Sequence, residues 1–309
     1  MLNKSVHILN FDDSVIKQRK IFSNYHAEII DLSRLGPKVR IWANRTTRKT
    51  ILERIRSIDK GCVTLLGSGD FHHISELLTS RFSEPISLIV FDFHPDWDTL
   101  PPRFGCGSWV NAALSNRNIV KCILLGPSSD DIAGWCLRNG CLEFLKNDRL
   151  GIYPYEHKPS LLFFRDLPKN SSFDLQKKFF YSKINWKQLQ GRDLTGFISD
   201  LIKQLPSKKV YLSIDKDCLK KEYSLTNWEE GGFSLDELLL LLKTIKENCD
   251  IIAADITGDY SPIAISNKFK AFLSRLDHPK DFSAANIPES QITDVNESTN
   301  LKILETLLS

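Results

Sequence analysis

Two short acidic segments carry most of the chemistry that this sequence could perform. Asp92-Phe93-His94-Pro95-Asp96 closes the apolar run Ser87–Phe93, and Asp215-Lys216-Asp217 follows the apolar run Val210–Ile214. Side chains alternate along a strand, so Asp92 and His94 share a face, as do Asp215 and Asp217. Asp96 joins the first pair if the extended chain holds for two more residues; Pro95 lacks an N–H and favours an extended neighbour before it. Each segment alone also reads as a turn whose carboxylates cap nearby backbone. Together they place four carboxylates where, without a cation, they would repel one another and take up protons. Divalent cations remove that conflict. Oxygen-rich ligation with few imidazoles favours Mn²⁺, with Zn²⁺ as the alternative.

A third segment, Gly67-Ser68-Gly69-Asp70-Phe71-His72-His73, lies between a strand and a helix. Its glycines permit a tight turn, and either histidine could complete a metal site. The competing reading is an aspartate N-cap followed by two partly exposed histidines.

These segments need a scaffold that presents strand ends. Apolar runs at Val6–Asn10, Cys62–Leu66, Ser87–Phe93, Val120–Leu125, Leu161–Phe164, Val210–Ile214 and Ile251–Ile256 read as strands. Most are continuous rather than alternating, as expected for strands buried on both faces of a parallel sheet. Helical patterns separate them at Thr46–Ser57, Ile74–Phe82, Trp109–Ser115, Asp130–Asn139, Leu194–Leu205 and Leu235–Lys246. The last is introduced by Ser234 and Glu237, which read as a capping box. The alternation implies an α/β fold, with ligands bound beyond the carboxyl ends of the strands. The stretch Asn267–Ser290 reads as a long surface loop and Leu301–Leu308 as a closing helix. With no repeat and no linker, residues 1–309 read as a single domain.

Composition sets limits. The chain has 309 residues, 42% of them hydrophobic, and a net charge of 41 − 38 = +3. That near-balance gives no case for nucleic acid or an anionic membrane as a partner. Seven cysteines without CxxC spacing argue against a disulfide framework or a zinc ribbon and fit a reducing cytoplasm. The first residues lack a signal-like apolar core, and no apolar run is long enough to span a membrane.

The three segments, in this order, resemble the ureohydrolase superfamily of arginases and agmatinases. The family pattern is Gly-Gly-Asp-His, then Asp-x-His-x-Asp, then Ser-x-Asp-x-Asp, matched here by 67–73, 92–96 and 213–217. Gly231-Gly232 and Asp255–Pro262 resemble its downstream segments. The resemblance implies a three-layer α/β/α fold with a mostly parallel sheet and two Mn²⁺ ions. It implies Asp92 and Asp215 bridging the ions, Asp96 on one ion, and His94 and Asp217 on the other. The remaining ligand is His72 in preference to His73, because Phe71 displaces the family histidine by one residue. Asp96 would orient the attacking water, and Asp259 would grip the substrate guanidinium. No histidine stands in 103–109, where arginases carry a proton relay, so the candidates for that role are His73, the spare member of the pair, and water.

The segments Gly69–His73 and Cys106–Trp109 resemble peptide arginases, which convert arginine side chains to ornithine. On this reading Trp109 helps to bind the substrate, either a peptide or a small guanidino compound. Trp97 and Trp228 also flank the motifs and read either as groove lining or as ordinary core. The competing functions are a ureohydrolase of free arginine or agmatine, a single-zinc amide deacetylase using Asp92, His94 and Asp215, and a non-catalytic metal- or peptide-binding relative. Homo-oligomerisation is left open.

Overall fold

The computed structural model describes residues 2–164, 167–277 and 287–309, with side chains at 275–277 excluded. The chain opens with β1 (Val6–Asn10), α1 (Arg19–Asn24), β2 (Ala27–Asp31), α2 (Gly36–Val39) and α3 (Arg45–Arg54). It continues through β3 (Val63–Gly67), α4 (Ile74–Thr79), β4 (Ile86–Phe91), α5 (Trp109–Ser115), β5 (Ile119–Gly126), α6 (Leu142–Lys146) and β6 (Leu150–Pro154). An excursion of three strands follows, β7 (Ser160–Phe163), β8 (Phe173–Lys177) and β9 (Tyr181–Trp186). The last elements are α7 (Leu194–Lys203), β10 (Lys209–Asp215), α8 (Leu235–Asn248), β11 (Asp250–Thr257), α9 (Lys268–Asp277) and α10 (Glu289–Leu308).

Eight strands form one sheet in the order β2-β1-β3-β11-β10-β4-β5-β6. Every neighbouring pair in it is parallel. Parallel strands need helical crossovers, which cover both faces. One face buries Leu66, Leu88, Val90 and Leu124 beneath α3, α4, α5 and α6. The other buries Leu65, Ile89, Leu212 and Ile214 beneath α1, α7, α8 and α10. Successive strand residues thus feed opposite cores, which is why the strands are apolar throughout. α8 begins as expected: Ser234 Oγ accepts from Glu237 N at 3.3 Å, and Glu237 Oε2 accepts from Ser234 N at 2.8 Å.

The differences from the sequence expectations have local causes. The helical pattern Asp130–Asn139 is two short 3₁₀ turns, Asp130–Ile132 and Cys136–Asn139, separated by Gly134 at φ +52°. The run Leu161–Phe164 supplies β7 of a separate antiparallel sheet, β7-β9-β8, and alternates between buried and exposed. Two edge strands escaped the apolar criterion: β2 contains Glu28 and Asp31, and β6 contains Gly151 and Pro154. The stretch Asn267–Ser290 holds α9 and the start of α10; residues 278–286, with His278, lie outside the described residues. α10 starts at Glu289 rather than Leu301 because its buried face is polar, with Asn296, Glu297, Thr299 and Asn300.

None of the seven cysteines is in a disulfide. Among the described residues no helix is long and apolar enough to cross a membrane.

Candidate metal centre

Strand register brings the two acidic segments together. Phe91 of β4 pairs with Ile214 of β10, so Asp92 and Asp215 emerge side by side at the carboxyl end of the sheet. Beyond β3, Ser68 Oγ accepts from Asp70 N at 3.3 Å and starts a 3₁₀ turn that carries His72 over the same strand ends. Gly69 has no room for a side chain: an added Cβ would lie 2.8 Å from Asp215 Oδ2.

His72 Nδ1 lies 3.1 Å from Asp92 Oδ2, 3.3 Å from Asp96 Oδ2 and 3.4 Å from Asp215 Oδ2. His94 Nδ1 lies 3.0 Å from Asp217 Oδ2 and 3.8 Å from Asp92 Oδ1. Two groups could therefore each hold a cation, His72/Asp92/Asp96 and Asp92/His94/Asp217, and they share Asp92. His72 Nδ1 and Asp92 Oδ2 are buried and have no hydrogen-bond partner among the described residues, although they face each other. Such orphaned atoms are rare in folded proteins, and a divalent cation between them would satisfy both. The donor set fits the metal pair that the sequence implies.

The other ring nitrogens are also held. His72 Nε2 meets Ser213 Oγ at 2.8 Å, Ser213 donates to Asp255 Oδ1 at 2.7 Å, and Tyr211 donates to Asp255 Oδ2 at 2.6 Å. His94 Nε2 meets Glu229 Oε2 at 3.1 Å. Partners of this kind orient the ring of a ligating histidine and fix its tautomer.

Asp96 reaches the cluster by an unexpected path. Extension does not continue to it; it adopts φ +46°, a left-handed conformation that aspartate tolerates better than most residues. The Trp109 indole N–H then donates to Asp96 Oδ2 at 2.8 Å.

The carboxylates of the site repel one another. Burial, and then repulsion from Asp217, push the Asp215 carboxyl up to about 8. Asp92 also rises well above the ordinary range through burial, Asp96 and Asp217. Burial works to lower His72 and His94, but the carboxylates around them win and raise both. Protons are thus drawn to positions where cations would sit.

Three expected residues stand elsewhere. His73 is fully buried, edge-on to Phe104 at 4.7 Å, with neither ring nitrogen partnered among the described residues. Burial, then Lys270, push it down to about 3, and it does not line the cavity over the metal groups. Trp109 is likewise buried; it positions Asp96 rather than facing a substrate. Asp259 turns away from the cavity. Its Oδ1 accepts from Lys216 Nζ at 2.9 Å and Gln18 Nε2 at 2.6 Å. The cause is a shift in register between Ile256 and Thr257, followed by Gly258 at φ +92°. A one-residue irregularity reverses which side chains face a site. An added Cβ at Gly258 would collide with Asp215 Oδ1.

A cavity of about 380 Å³ opens above the metal groups. Trp97 and Trp228 line it, as do Leu100, Pro101 and Pro102 of the loop after Asp96. Besides the metal groups and Asp215, it contains the carboxylates of Asp98, Asp131 and Glu229. Partial burial, then Asp131 and Asp96, push Asp98 up to about 7. Among the described residues no lysine or arginine lines the cavity. Glu229 is the residue that motif reading missed. Its only sequence signal is its place just before Gly231-Gly232, where Gly231 N donates to Asp217 O at 2.6 Å and draws the loop over the site.

A model of the arginase family matches residues 23–272. An uncharacterized protein of Thermotoga maritima is 25% identical over 264 residues, covering 85% of this chain and 83% of that protein. The fold is similar to that of arginase from Bacillus cereus, at TM-score 0.60 and 14% identity, covering 99% of this chain and 98% of that one. It is also similar to that of formimidoylglutamase from Bacillus subtilis, at TM-score 0.57 and 12% identity, covering 99% of this chain and 86% of that one.

Proposed function

This chain belongs to the arginase family, and from that premise we propose that it hydrolyses the guanidino group of arginine within a peptide, releasing urea and leaving ornithine. The coarse reaction, metal-dependent cleavage of a guanidino or amidino group, goes with family membership and with the two metal groups. The observation that carries the finer reading is the absence of any lysine or arginine from the cavity lining among the described residues. Free arginine brings an α-carboxylate that would meet Asp98, Asp131 and Glu229 with no cation to receive it. A peptide replaces that carboxylate with a neutral amide. A decarboxylated guanidino amine also avoids the clash, and is the second reading that this lining supports.

Divalent cations held by the two groups, manganese on our reading, supply Lewis acidity and bring the pKa of water towards neutrality. The remaining roles belong to side chains. Asp96 Oδ2, fixed by the Trp109 indole, accepts a hydrogen bond from the attacking water and orients it towards the guanidinium carbon. The same carboxylate is placed to return that proton to the leaving nitrogen, so that guanidinium and water give urea and a protonated amine. Glu229 takes the role first expected of Asp259. A carboxylate accepts several hydrogen bonds, so it can hold His94 Nε2 and a guanidinium N–H together. The apolar loop Leu100–Pro102 offers the peptide backbone a wall without competing charge.

The test is urea release by the manganese-loaded chain from arginine peptides, free arginine and agmatine, with mass spectrometry for loss of one cyanamide equivalent per peptide arginine. A higher kcat/KM for free arginine or agmatine than for every peptide tested would overturn the peptide reading.

A further inference from the structure

Far along the chain from the metal motifs, the β7-β9-β8 excursion ends in exposed aromatics. Phe163, Phe164, Phe179 and Phe180 are 41%, 79%, 93% and 61% exposed. They form one cluster, with ring centroids 6.5 Å apart for Phe163–Phe164, 6.4 Å for Phe164–Phe180 and 4.7 Å for Phe179–Phe180. Phe179 and Phe180 are the two central residues of the β8–β9 hairpin turn, which Lys178 N closes by donating to Tyr181 O at 2.8 Å. Such turns favour glycine and asparagine, for conformational reasons, and gain nothing from phenyl rings in water. Phe164 is in addition held at φ +53°, a strained conformation for a bulky residue. Exposed apolar clusters of this kind on a soluble surface mark interaction sites.

Charge identifies the partner. Residues 155–190 contain seven lysines and arginines against three acids, a net +4, whereas the whole chain is +3. The rest of the chain is therefore −1, and the near-neutral total conceals a basic excursion. The exposed Lys177 and Lys178 immediately precede the Phe179-Phe180 turn, and Lys183 stands on the adjoining strand. A second copy would bring like charges together at the tip. The exposed rings stand at the end of the small sheet and carry no polar group to pair with a protein. Apolar side chains that enter the acyl boundary, ringed by lysines at headgroup level, suit an anionic bilayer surface.

We propose that the tip of this excursion docks the protein on anionic membranes, with Phe163, Phe164, Phe179 and Phe180 inserted and the lysines on the headgroups. The metal centre is not part of this surface, and the proposal does not depend on the substrate.

The experiment is co-sedimentation of the full, metal-loaded chain with phosphatidylcholine vesicles, with and without about 30% phosphatidylserine, since the attraction scales with anionic lipid. The chain is expected to partition onto the anionic vesicles and to be released by high salt. Phe179→Ser with Phe180→Ser, and separately Lys177→Glu with Lys178→Glu, should each weaken binding about tenfold or more. Both exposed pairs should leave the melting temperature and metal content unchanged. Failure of the wild-type chain to bind, equal binding to neutral vesicles, or undiminished binding by the phenylalanine variant would each overturn the proposal. So would a dimer in gel filtration that the phenylalanine variant abolishes, since a second copy would then be the partner.

Discussion

Ser213 Oγ lies between His72 and Asp255, accepting from His72 Nε2–H at 2.8 Å and donating to Asp255 at 2.7 Å. That direction of hydrogen bonding leaves Nδ1 of a neutral His72 unprotonated and facing the carboxylates. Ser213→Ala should therefore weaken metal binding at the His72 group by about 10- to 100-fold while leaving the fold intact. Chelator competition and thermal unfolding measure the two effects. Unchanged affinity would show that Ser213 does not set the tautomer.

Asp92 belongs to both candidate metal groups. The manganese-loaded chain should hold two ions, and Asp92→Asn should lose both along with turnover. Asp215→Asn, whose carboxylate faces His72, should also lose metal. Replacing the exposed His26, or His157 outside the cavity lining, should change nothing. Elemental analysis of each variant decides, and a single ion per wild-type chain would refute the dinuclear site.

His73 has two buried ring nitrogens against Phe104, unpartnered among the described residues. Replacing an unsatisfied buried polar group by an apolar one of similar size is neutral or stabilising. His73→Leu should keep both metal and turnover, with a melting temperature equal to or above that of the wild type. A collapse of kcat with metal retained would restore His73 as a proton relay.

Glu229 and Asp259 should respond in opposite ways. Glu229→Gln keeps an acceptor for His94 but loses the charge, so KM for a guanidino substrate should rise about tenfold with metal retained. Glu229→Ala should lower metal affinity as well. The tenfold figure corresponds to one charged hydrogen bond. Asp259→Ala leaves Lys216 buried without its counter-ion and should cost about 3–5 kcal/mol of stability, with KM unchanged in the protein that folds. A KM effect confined to Asp259 would reverse these assignments.

How much of this was legible depended on whether a residue's position is set locally. Asp92 and Asp215 stand at the ends of apolar strands, His94 and Asp217 follow them in short turns, a bend and a 3₁₀ turn, that return both side chains to the strand ends, and all four meet in the structure. His72 was readable for a similar reason, because a short glycine turn leaves few places for it. Asp96 reached the site even though the extended path assumed for it is broken. Asp259 was misplaced by the register shift between Ile256 and Thr257, which no composition signals. Glu229 was invisible because its position comes from a long-range bond between Gly231 and Asp217. The polar buried face of α10 hid the helix from an apolar criterion.

Gly258 has one more consequence. With no space for a side chain beside Asp215, the end of β11 cannot carry an acid for the substrate without disturbing a metal-facing carboxylate. On the proposed reading, substrate recognition falls instead to Trp228 and Glu229, which line the cavity from the connection between β10 and α8. On that reading the choice of molecule and the holding of the ions share a residue, because Glu229 also meets His94 Nε2. Exchanging residues around Glu229 to change substrate preference is therefore expected to alter metal affinity as well.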